Sequence, residues 1–223
     1  MENSPVYNVL VSKKPITIDG NWDKPEWQGV KAVAITKRMG KIPVFTPVAQ
    51  AKMMYDESGL YVIFRVQDRF VRCVVTEFNG PVYEEPCVEF FFSPEIKSPL
   101  KYFNLEINCG GTPLMHYNDH ALGLHTDLAP EDLEKIEIAH SLPTVVVDEI
   151  KEPVTWTLEY RLPLAIIEKY SVIDPPAPGI TWRANFYKIA EKGSNVHFLT
   201  WSEVINPIPN FHLPEFFGSI RFQ

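Results

Sequence analysis

The sequence predicts an all-β protein, an antiparallel sandwich of the immunoglobulin or jelly-roll kind with one or two short helices. About ten segments alternate apolar and polar residues or are rich in β-branched and aromatic residues, as strands are. Barely one segment has helical periodicity, so the pattern does not fit the strand–helix–strand units of a parallel sheet. The chain has 20 prolines and 11 glycines, which is typical of many stiff loops between strands.

The clearest supersecondary element is a hairpin near the N-terminal third of the chain. An alternating segment, residues 16–19, first stops at Gly20, which is a turn signal. Residues 48–55 and 60–67 are then two β-rich runs joined by a polar four-residue loop ending in glycine. The second run has one apolar face and one mixed face, and we expect the mixed face to be partly covered or to line a groove. The residues expected to face the core are Leu60, Val62, Phe64 and Val66.

Further segments complete the predicted secondary structure. The strand-like segments are residues 70–78, 87–92, 102–108, 136–139, 144–147, 155–161, 182–190, 197–202 and 217–222. One helix is predicted over residues 164–170, between Pro163 and a proline-rich loop. Residues 118–135 are polar and show no strand pattern, so they predict a long loop, and long loops in compact domains are often functional.

Composition and charge narrow the possible partners. The chain of 223 residues has a net charge of -7, which argues against nucleic acid and against anionic membranes. No interior linker is visible, so we expect one domain over residues 1–223. The three cysteines, Cys73, Cys87 and Cys109, have no paired spacing and predict buried thiols. The first fifteen residues lack a signal-peptide pattern, so we expect a soluble cytoplasmic protein, or an extracytoplasmic one if a leader has been removed.

Two carboxylates in the middle of predicted strands are candidate functional groups. Glu89 and Glu106 are each flanked by apolar residues, and such a position requires a wet face or a paired charge. Asn104, Glu106 and Asn108 share one strand face and form a polar stripe, which fits either an ordinary solvent face or a binding surface. Glu84 and Glu85 are expected at a solvated strand end.

Aromatic residues near these groups favour a sugar site. A pyranose has apolar faces that stack on rings and hydroxyls that pair with carboxylates and amides. Tyr83 precedes the Glu89 strand, and Phe211 ends a proline-stiffened loop near the C-terminus. We therefore expect two loop aromatics to hold a sugar ring between them.

A group of histidines lies in and beside the predicted long loop. His116, His120 and His125 are near Asp119 and Asp127 in the sequence. Their spacing matches no established metal-binding scheme. A solvated polar loop is favoured over a metal site, and both interpretations stay open.

Several segments resemble carbohydrate-binding module family 9. They are residues 16–20 with Trp27, residues 55–56 with 60–62, residues 87–91, residues 199–202 and residues 214–218. They occur in the family's order and span nearly the whole chain. The resemblance implies a sandwich related to the DOMON-type group, and non-catalytic binding of mono- or oligosaccharides linked to polysaccharide breakdown, often at chain ends of plant polysaccharides.

The resemblance also implies a set of ligand-binding residues. The family's slot lies between two aromatics, which fall on Tyr83 and near Phe211, and its motif carboxylate falls on Glu89. Its further polar groups fall on Asn104, where a xylanase-attached member carries Arg, and on Asn185. Together with Glu106 from the polar stripe, these are the predicted ligand-binding residues. Both tryptophans of the well-known slot are smaller rings here. Family members commonly bind structural calcium, whose ligands the sequence does not place.

Three other functions remain open. A haem-binding DOMON-type redox domain would take its axial ligands from Met53, Met54 or Met115 with His140, His197 or Lys188. A glycoside hydrolase would use Glu89 and Glu106 as its two carboxyl groups. The third is an interaction domain whose partner is not a sugar. The oligomeric state is not determined by the sequence.

Overall fold

Two β-sheets face each other in the computed structural model, which describes residues 4–223. The short helices are α1 (Pro130–Leu133) and α2 (Leu164–Tyr170). The described strands are β1 (Val6–Val11), β2 (Val33–Ile35), β3 (Lys37–Met39), β4 (Val48–Tyr55), β5 (Gly59–Asp68), β6 (Val71–Cys73), β7 (Cys87–Ser93), β8 (Lys101–Asn108), β9 (Pro113–Asp119), β10 (Leu124–Asp127), β11 (Glu137–His140), β12 (Val146–Ile150), β13 (Val154–Pro163), β14 (Thr181–Ala190), β15 (His197–Thr200) and β16 (Gly218–Phe222). The predicted sandwich with few helices is confirmed.

One sheet, called the site sheet below, has the order β10-β9-β8-β7-β14-β16-β1. Its strand β14 pairs with β16 near its start and with β15 near its end, and β15 carries β3. The opposing back sheet has the order β1-β4-β5-β13-β11, with β2 beside β4. Strand β1 belongs to both sheets and runs parallel to β16 and to β4, whereas the other described pairs are antiparallel.

The main core lies between the sheets. Alternation places Phe90, Phe92 and Phe186 on the inner face of the site sheet, where their rings stack at 4.8–4.9 Å between centroids. The back sheet contributes the four residues expected from the hairpin pattern, Leu60, Val62, Phe64 and Val66, each at most 1% exposed. This rigid, dry interior fixes the direction of the outward-facing side chains on the same strands.

The other face of β5 is covered rather than open. Tyr61 and Ile63 are buried under Ile16, Trp22 and Trp27 of the N-terminal segment. This segment therefore occupies the outer face of the back sheet, so a groove is not available there.

The prediction of a long loop over residues 118–135 is wrong. The structure continues β9 to Asp119, returns in β10, and forms α1 before β11. All four residues of β10 are exposed, because β10 pairs only with β9 at the sheet edge. An exposed edge strand needs no apolar alternation, so the sequence pattern lacked the signal. Strands β1, β2, β3 and β9 were also not predicted, and only residues 71–73 of the segment 70–78 form a strand.

The helix and cysteine predictions agree with the structure. Helix α2 has the predicted bounds, and the three cysteines are free and buried. Within the described residues, no helix is both long enough and apolar enough to cross a membrane. Residues 1–3, part of the segment without a signal-peptide pattern, lie outside the described residues.

Candidate functional site

A cleft of about 560 Å³ opens on the outer face of the site sheet. Its floor comes from outward-facing residues of β7, β8 and β9, and its walls come from β10, from Glu191 after β14 and from three loops. These loops are the turn before β7, the β9–β10 turn and the segment before β16. Of the predicted ligand-binding residues, Tyr83, Glu89, Glu106 and Phe211 line the cleft. Asn104 lies directly beneath it, and Asn185 does not line it.

The two candidate carboxyl groups are direct neighbours across strands β7 and β8. Glu89 pairs with Glu106 in register, and the same row continues to Tyr187 on one side and Leu114 on the other. Glu89 is 2% exposed and Glu106 is 4% exposed. Apolar neighbours exclude water from both groups, and like charges side by side repel each other.

Burial sets the protonation of this pair. It raises the pKa of Glu89 well above its ordinary value, with a smaller contribution from the neighbouring charge of Glu106. It also raises the pKa of Glu106 to about 7, although a hydrogen bond from Asn104 opposes the rise. The pair therefore carries bound protons near neutral pH and offers both hydrogen-bond donors and acceptors to the cleft.

Asn104 holds Glu106 in place from below. Its Nδ2 donates to Glu106 Oε1 at 2.8 Å, and its Oδ1 accepts a hydrogen bond from Asn118 Nδ2 at 2.6 Å. Its Nδ2 also lies 3.3 Å from His116 Nδ1. Since Asn104 is fully buried, its direct contribution is to orient the residues that line the cleft.

Asn185 lies on β14, and strand β7 separates it from the Asn104 network. Register puts Phe91 between Asn185 and Asn104 in the same row of the sheet. The Asn185 amide donates to the Ser202 carbonyl at 3.0 Å and accepts from the Ser202 N–H at 2.8 Å. The side chain is thus fully engaged in holding the turn after β15, and we leave it out of the proposed ligand set.

Phe211 is anchored in a small aromatic cluster below the cleft. Its ring stacks on Tyr187 at 4.1 Å between centroids and an interplanar angle of 14°. Phe198 meets it edge-on at 6.1 Å. Only 5% of Phe211 is exposed, so the residue contributes an edge of the cleft rather than a free ring.

Tyr83 is half-buried and sits in a short 3-10 turn, Val82–Glu84. The backbone N–H groups of Glu191 and Lys192 donate to the carbonyls of Tyr83 and Glu84, which ties the turn to the end of β14. Glu85 holds the segment that follows β6, because its carboxylate accepts hydrogen bonds from the N–H groups of Val74 and Val75. The expectation of a solvated Glu85 is wrong, since only 7% of it is exposed.

Four histidines line the cleft, His116, His120, His125 and His212. His116 and His125 lie side by side on β9 and β10, with their Nε2 atoms 3.4 and 3.7 Å from Asp127 Oδ1. At the rim, His212 Nδ1 is 2.9 Å from the Tyr102 hydroxyl. Because the Asn104 amide faces Nδ1 of His116, it favours the tautomer that carries the proton on Nε2 and donates to Asp127.

The residues present do not fit a calcium ion. Within residues 4–223, no group of three or more His, Cys, Asp or Glu side chains is placed to hold a metal. The oxygen cradle formed by Asp19, Glu159 and the Thr17 carbonyl already holds the Lys24 ammonium. We therefore assign no role to calcium.

The residues considered for haem ligation lie away from the cleft. Met53 and Met115 belong to the main core, and Met54 is buried on the opposite face of the back sheet. Lys188 points inward, 3.2 Å from Asp68 and 2.7 Å from His197 Nε2. His140 Nδ1 lies 2.7 Å from the Leu142 carbonyl. Lys188, His197 and His140, the polar candidates for haem ligation, therefore already contact other groups of the protein.

Some site residues were not found from the sequence. Phe91 and Tyr102 line the floor and share strand faces with Glu89 and Glu106, so the period of two was the signal that would have found them. Glu191 lines the wall after β14, and nothing in its local sequence marks it. It reaches the cleft only because its backbone pairs with the Tyr83 turn.

Fold and cleft together define a β-sandwich of the binding-domain class, with the candidate site on one sheet face. The chain matches the model of Carbohydrate-binding family 9 over residues 15–222, and it belongs to this family. This confirms the family expected from the sequence. The relationship to DOMON-type sandwiches stays a prediction.

Solved structures agree with this assignment. A Bacteroides uniformis ATCC 8492 protein provisionally described as carbohydrate-binding is 26% identical, with a TM-score of 0.88 over 99% of this chain and 100% of that one. A family 9 module from Caldicellulosiruptor kristjanssonii in complex with cellotriose is 18% identical, with a TM-score of 0.65 over 98% and 94%. The glucose complex of a family 9 module from the same organism is 17% identical, with a TM-score of 0.63 over 97% and 95%. A search of curated proteins found no match.

Proposed function

We propose that this protein is a non-catalytic carbohydrate-binding domain, spanning residues 1–223, that acts alongside polysaccharide-degrading enzymes. The observation that carries the proposal is the cleft itself. It combines the half-buried ring of Tyr83, the edge of Phe211 and the Glu89–Glu106 pair on one face of a sandwich. Rings that stack on a sugar's apolar faces and groups that pair with its hydroxyls are what a pyranose requires.

Family membership supports the proposal. The related modules from Caldicellulosiruptor kristjanssonii were solved with cellotriose and with glucose. We therefore propose a mono- or oligosaccharide ligand for this chain, held between Tyr83 and the Phe211 side of the cleft. Glu89 and Glu106 would hydrogen-bond it, with Asn104 orienting Glu106 from beneath.

The protonation of the carboxyl pair suits hydrogen bonding to a sugar. Burial raises the pKa of both Glu89 and Glu106, so near neutral pH the pair offers both donors and acceptors to hydroxyl groups. A retaining or inverting glycosidase also uses one ionised carboxylate beside one protonated acid, so hydrolysis of aryl-glycosides by this chain would contradict the non-catalytic proposal.

Isothermal titration with glucose, cellobiose, cellotriose, xylose and a uronic acid tests the proposal. Tyr83→Ala should weaken binding of the best ligand by about tenfold, because the stacking surface is lost. Tyr83→Phe keeps the ring and should retain most of the affinity. The matched control is Phe70→Ala, which removes another half-buried ring outside the cleft lining. Absence of binding to every saccharide, or equal losses in Phe70→Ala and Tyr83→Ala, would contradict the proposal.

A further inference from the structure

The ionisable side chains that line the cleft include several acids but no strong base. Four carboxyl groups line it, those of Glu89, Glu106, Asp119 and Glu191. The other ionisable side chains in the lining are two tyrosines and four histidines, and among the described lining residues there is no lysine or arginine. Lys101 approaches Asp119 only from outside the lining, at 3.9 Å. A concave acidic surface without a lysine or arginine favours cationic ligands, because a bound cation is neutralised as the carboxyl groups ionise.

One carboxyl oxygen in this cleft lacks a partner. Glu106 Oε1 accepts the hydrogen bond from Asn104, whereas Glu106 Oε2 is fully buried and has no hydrogen-bond partner in the described structure. Glu106 is 4% exposed and lines the cleft. A buried polar atom that is left unpaired destabilises the structure. A ligand group that donates to it would recover this free energy.

Taking the proposed sugar binding as its basis, we infer that the cleft selects saccharides that carry a protonated amino group, which docks on the Glu89–Glu106 pair. An ammonium group has three N–H donors and a full positive charge. When the Glu106 carboxyl group rotates toward the cleft that it lines, the ammonium can donate to Oε2 and to Glu89 at the same time. A neutral hydroxyl supplies a single donor and no charge. A uronic acid brings a further negative charge into a cleft without a lining cation, so it is disfavoured.

Binding of the amino group displaces a proton from the pair. Near neutral pH the pair still holds protons, because burial raises the pKa of both groups. An ammonium beside them favours their ionised forms, so the pair loses a proton to the buffer. The other ionisable groups whose charges act on the pair or respond to it are Tyr83, Cys87, Tyr102, Tyr187, Lys188 and Glu191.

The test is isothermal titration of the full chain with glucose, glucosamine, N-acetylglucosamine and glucuronate near neutral pH. Glucosamine should bind at least about tenfold more tightly than glucose and N-acetylglucosamine, and glucuronate should bind most weakly. Titrations in two buffers of different ionisation enthalpy should show proton release with glucosamine and none with glucose. The neutral N-acetyl group separates the effect of charge from the effect of a substituent at the same carbon.

Two variants test whether the Glu106 carboxyl group causes the preference for glucosamine over glucose. Glu106→Gln should reduce the preference for glucosamine over glucose to about twofold or less, since removing one charge-assisted contact costs about a tenfold preference. The control Glu57→Gln removes the same charge from an exposed hairpin loop of the back sheet and should leave the preference unchanged. The wild-type proton-release measurement decides the matter even if Glu106→Gln does not fold.

Two outcomes would overturn the inference. If glucose binds and glucosamine binds no better, the amino-group selectivity is wrong while the proposed sugar binding stands. If none of the four saccharides binds, and the cello-oligosaccharides do not bind either, both fail together.

Discussion

At the scale of single residues, equivalent side chains have different roles because the sheet register gives them different neighbours. Glu85 and Glu89 are both buried glutamates near β7. Glu85 is saturated by backbone N–H groups, whereas Glu89 has a second carboxyl group beside it and faces the cleft. The Glu85 carboxylate therefore stabilises the fold through its N–H donors. The Glu89 carboxyl group lines the cleft, where it can meet a ligand.

Asn104 and Asn185 are a second pair of equivalent side chains with different roles. Both are fully buried and lie in one row of the sheet. Asn104 is bonded to residues that line the cleft, while Asn185 is bonded to the backbone of Ser202. Residue type and strand position were read correctly from the sequence. The partners follow from the fold, since Asn104 bonds within β8 and to β9, and Asn185 bonds to the turn after β15.

Asn185→Ala should therefore lower stability without changing sugar affinity. The substitution leaves the buried Ser202 N–H unpaired and removes one of the two hydrogen bonds that the Ser202 carbonyl accepts, which we expect to cost about 1–3 kcal/mol of the free energy of unfolding. Urea denaturation measures this loss, and titration with the best saccharide measures the affinity. Asn8→Ala, at an exposed position, should change stability by less than about 0.5 kcal/mol. A large loss of affinity at full stability would place Asn185 in the ligand site.

At the scale of elements, the N-terminal segment is fastened to the back sheet by a buried ion pair. Lys24 is 6% exposed, and its Nζ lies 2.7 Å from Glu159 Oε1. Glu159 also accepts hydrogen bonds from the N–H groups of Asp19 and Gly20 and from Trp27 Nε1. One carboxylate in the middle of β13 thus organises a segment more than a hundred residues away in the chain.

Lys24→Met should destabilise the protein by about 3–5 kcal/mol, because Glu159 keeps its burial and loses its counter-charge. Thermal and chemical unfolding measure the loss. The double variant Lys24→Met/Glu159→Gln should recover part of it, and Lys31→Met, at an exposed lysine of the same segment, should be nearly neutral. Equal stability of the Lys24 and Lys31 variants would show that the ion pair contributes little.

Strand β10 illustrates the limit of pattern reading at this scale. Its residues are all exposed, yet it forms the edge of the site sheet and brings His125 to the cleft wall. The backbone hydrogen bonds to β9 make it a strand, and no apolar face was required.

At the scale of the whole molecule, burial of the carboxyl pair links stability to pH. The folded-state pKa values of Glu89 and Glu106 are raised, so the native protein holds more protons than the unfolded chain in this range. The stability that the neutral forms contribute is present below the ordinary pKa of 4.5 and is lost as pH rises through the raised pKa of each group, which for Glu106 is about 7.

The difference in unfolding free energy between wild type and Glu89→Gln/Glu106→Gln should therefore fall as pH rises from 4.5 to about 7. We expect a change of roughly 3 kcal/mol from Glu106 alone. Urea denaturation at a series of pH values measures it. Burial lowers the pKa of His197 to about 3, so this residue makes stability rise with pH. Wild type and variant share this effect, which therefore cancels in the difference between them. A difference that does not vary with pH would show that neither carboxyl group is perturbed.

The sequence alone determined the sandwich, the β4–β5 hairpin with its core face, helix α2 and the family. These follow from local alternation, turn residues and motif order, which are properties of neighbouring positions in the chain. It also singled out Tyr83, Glu89, Glu106 and Phe211, all of which line the cleft. That Glu89 meets Glu106, that Asn185 turns to Ser202 and that Glu191 joins the wall was decided only by the tertiary structure. The physical reason is that these contacts depend on strand register and on long-range backbone pairing, which bring together residues whose local sequences carry no information about each other.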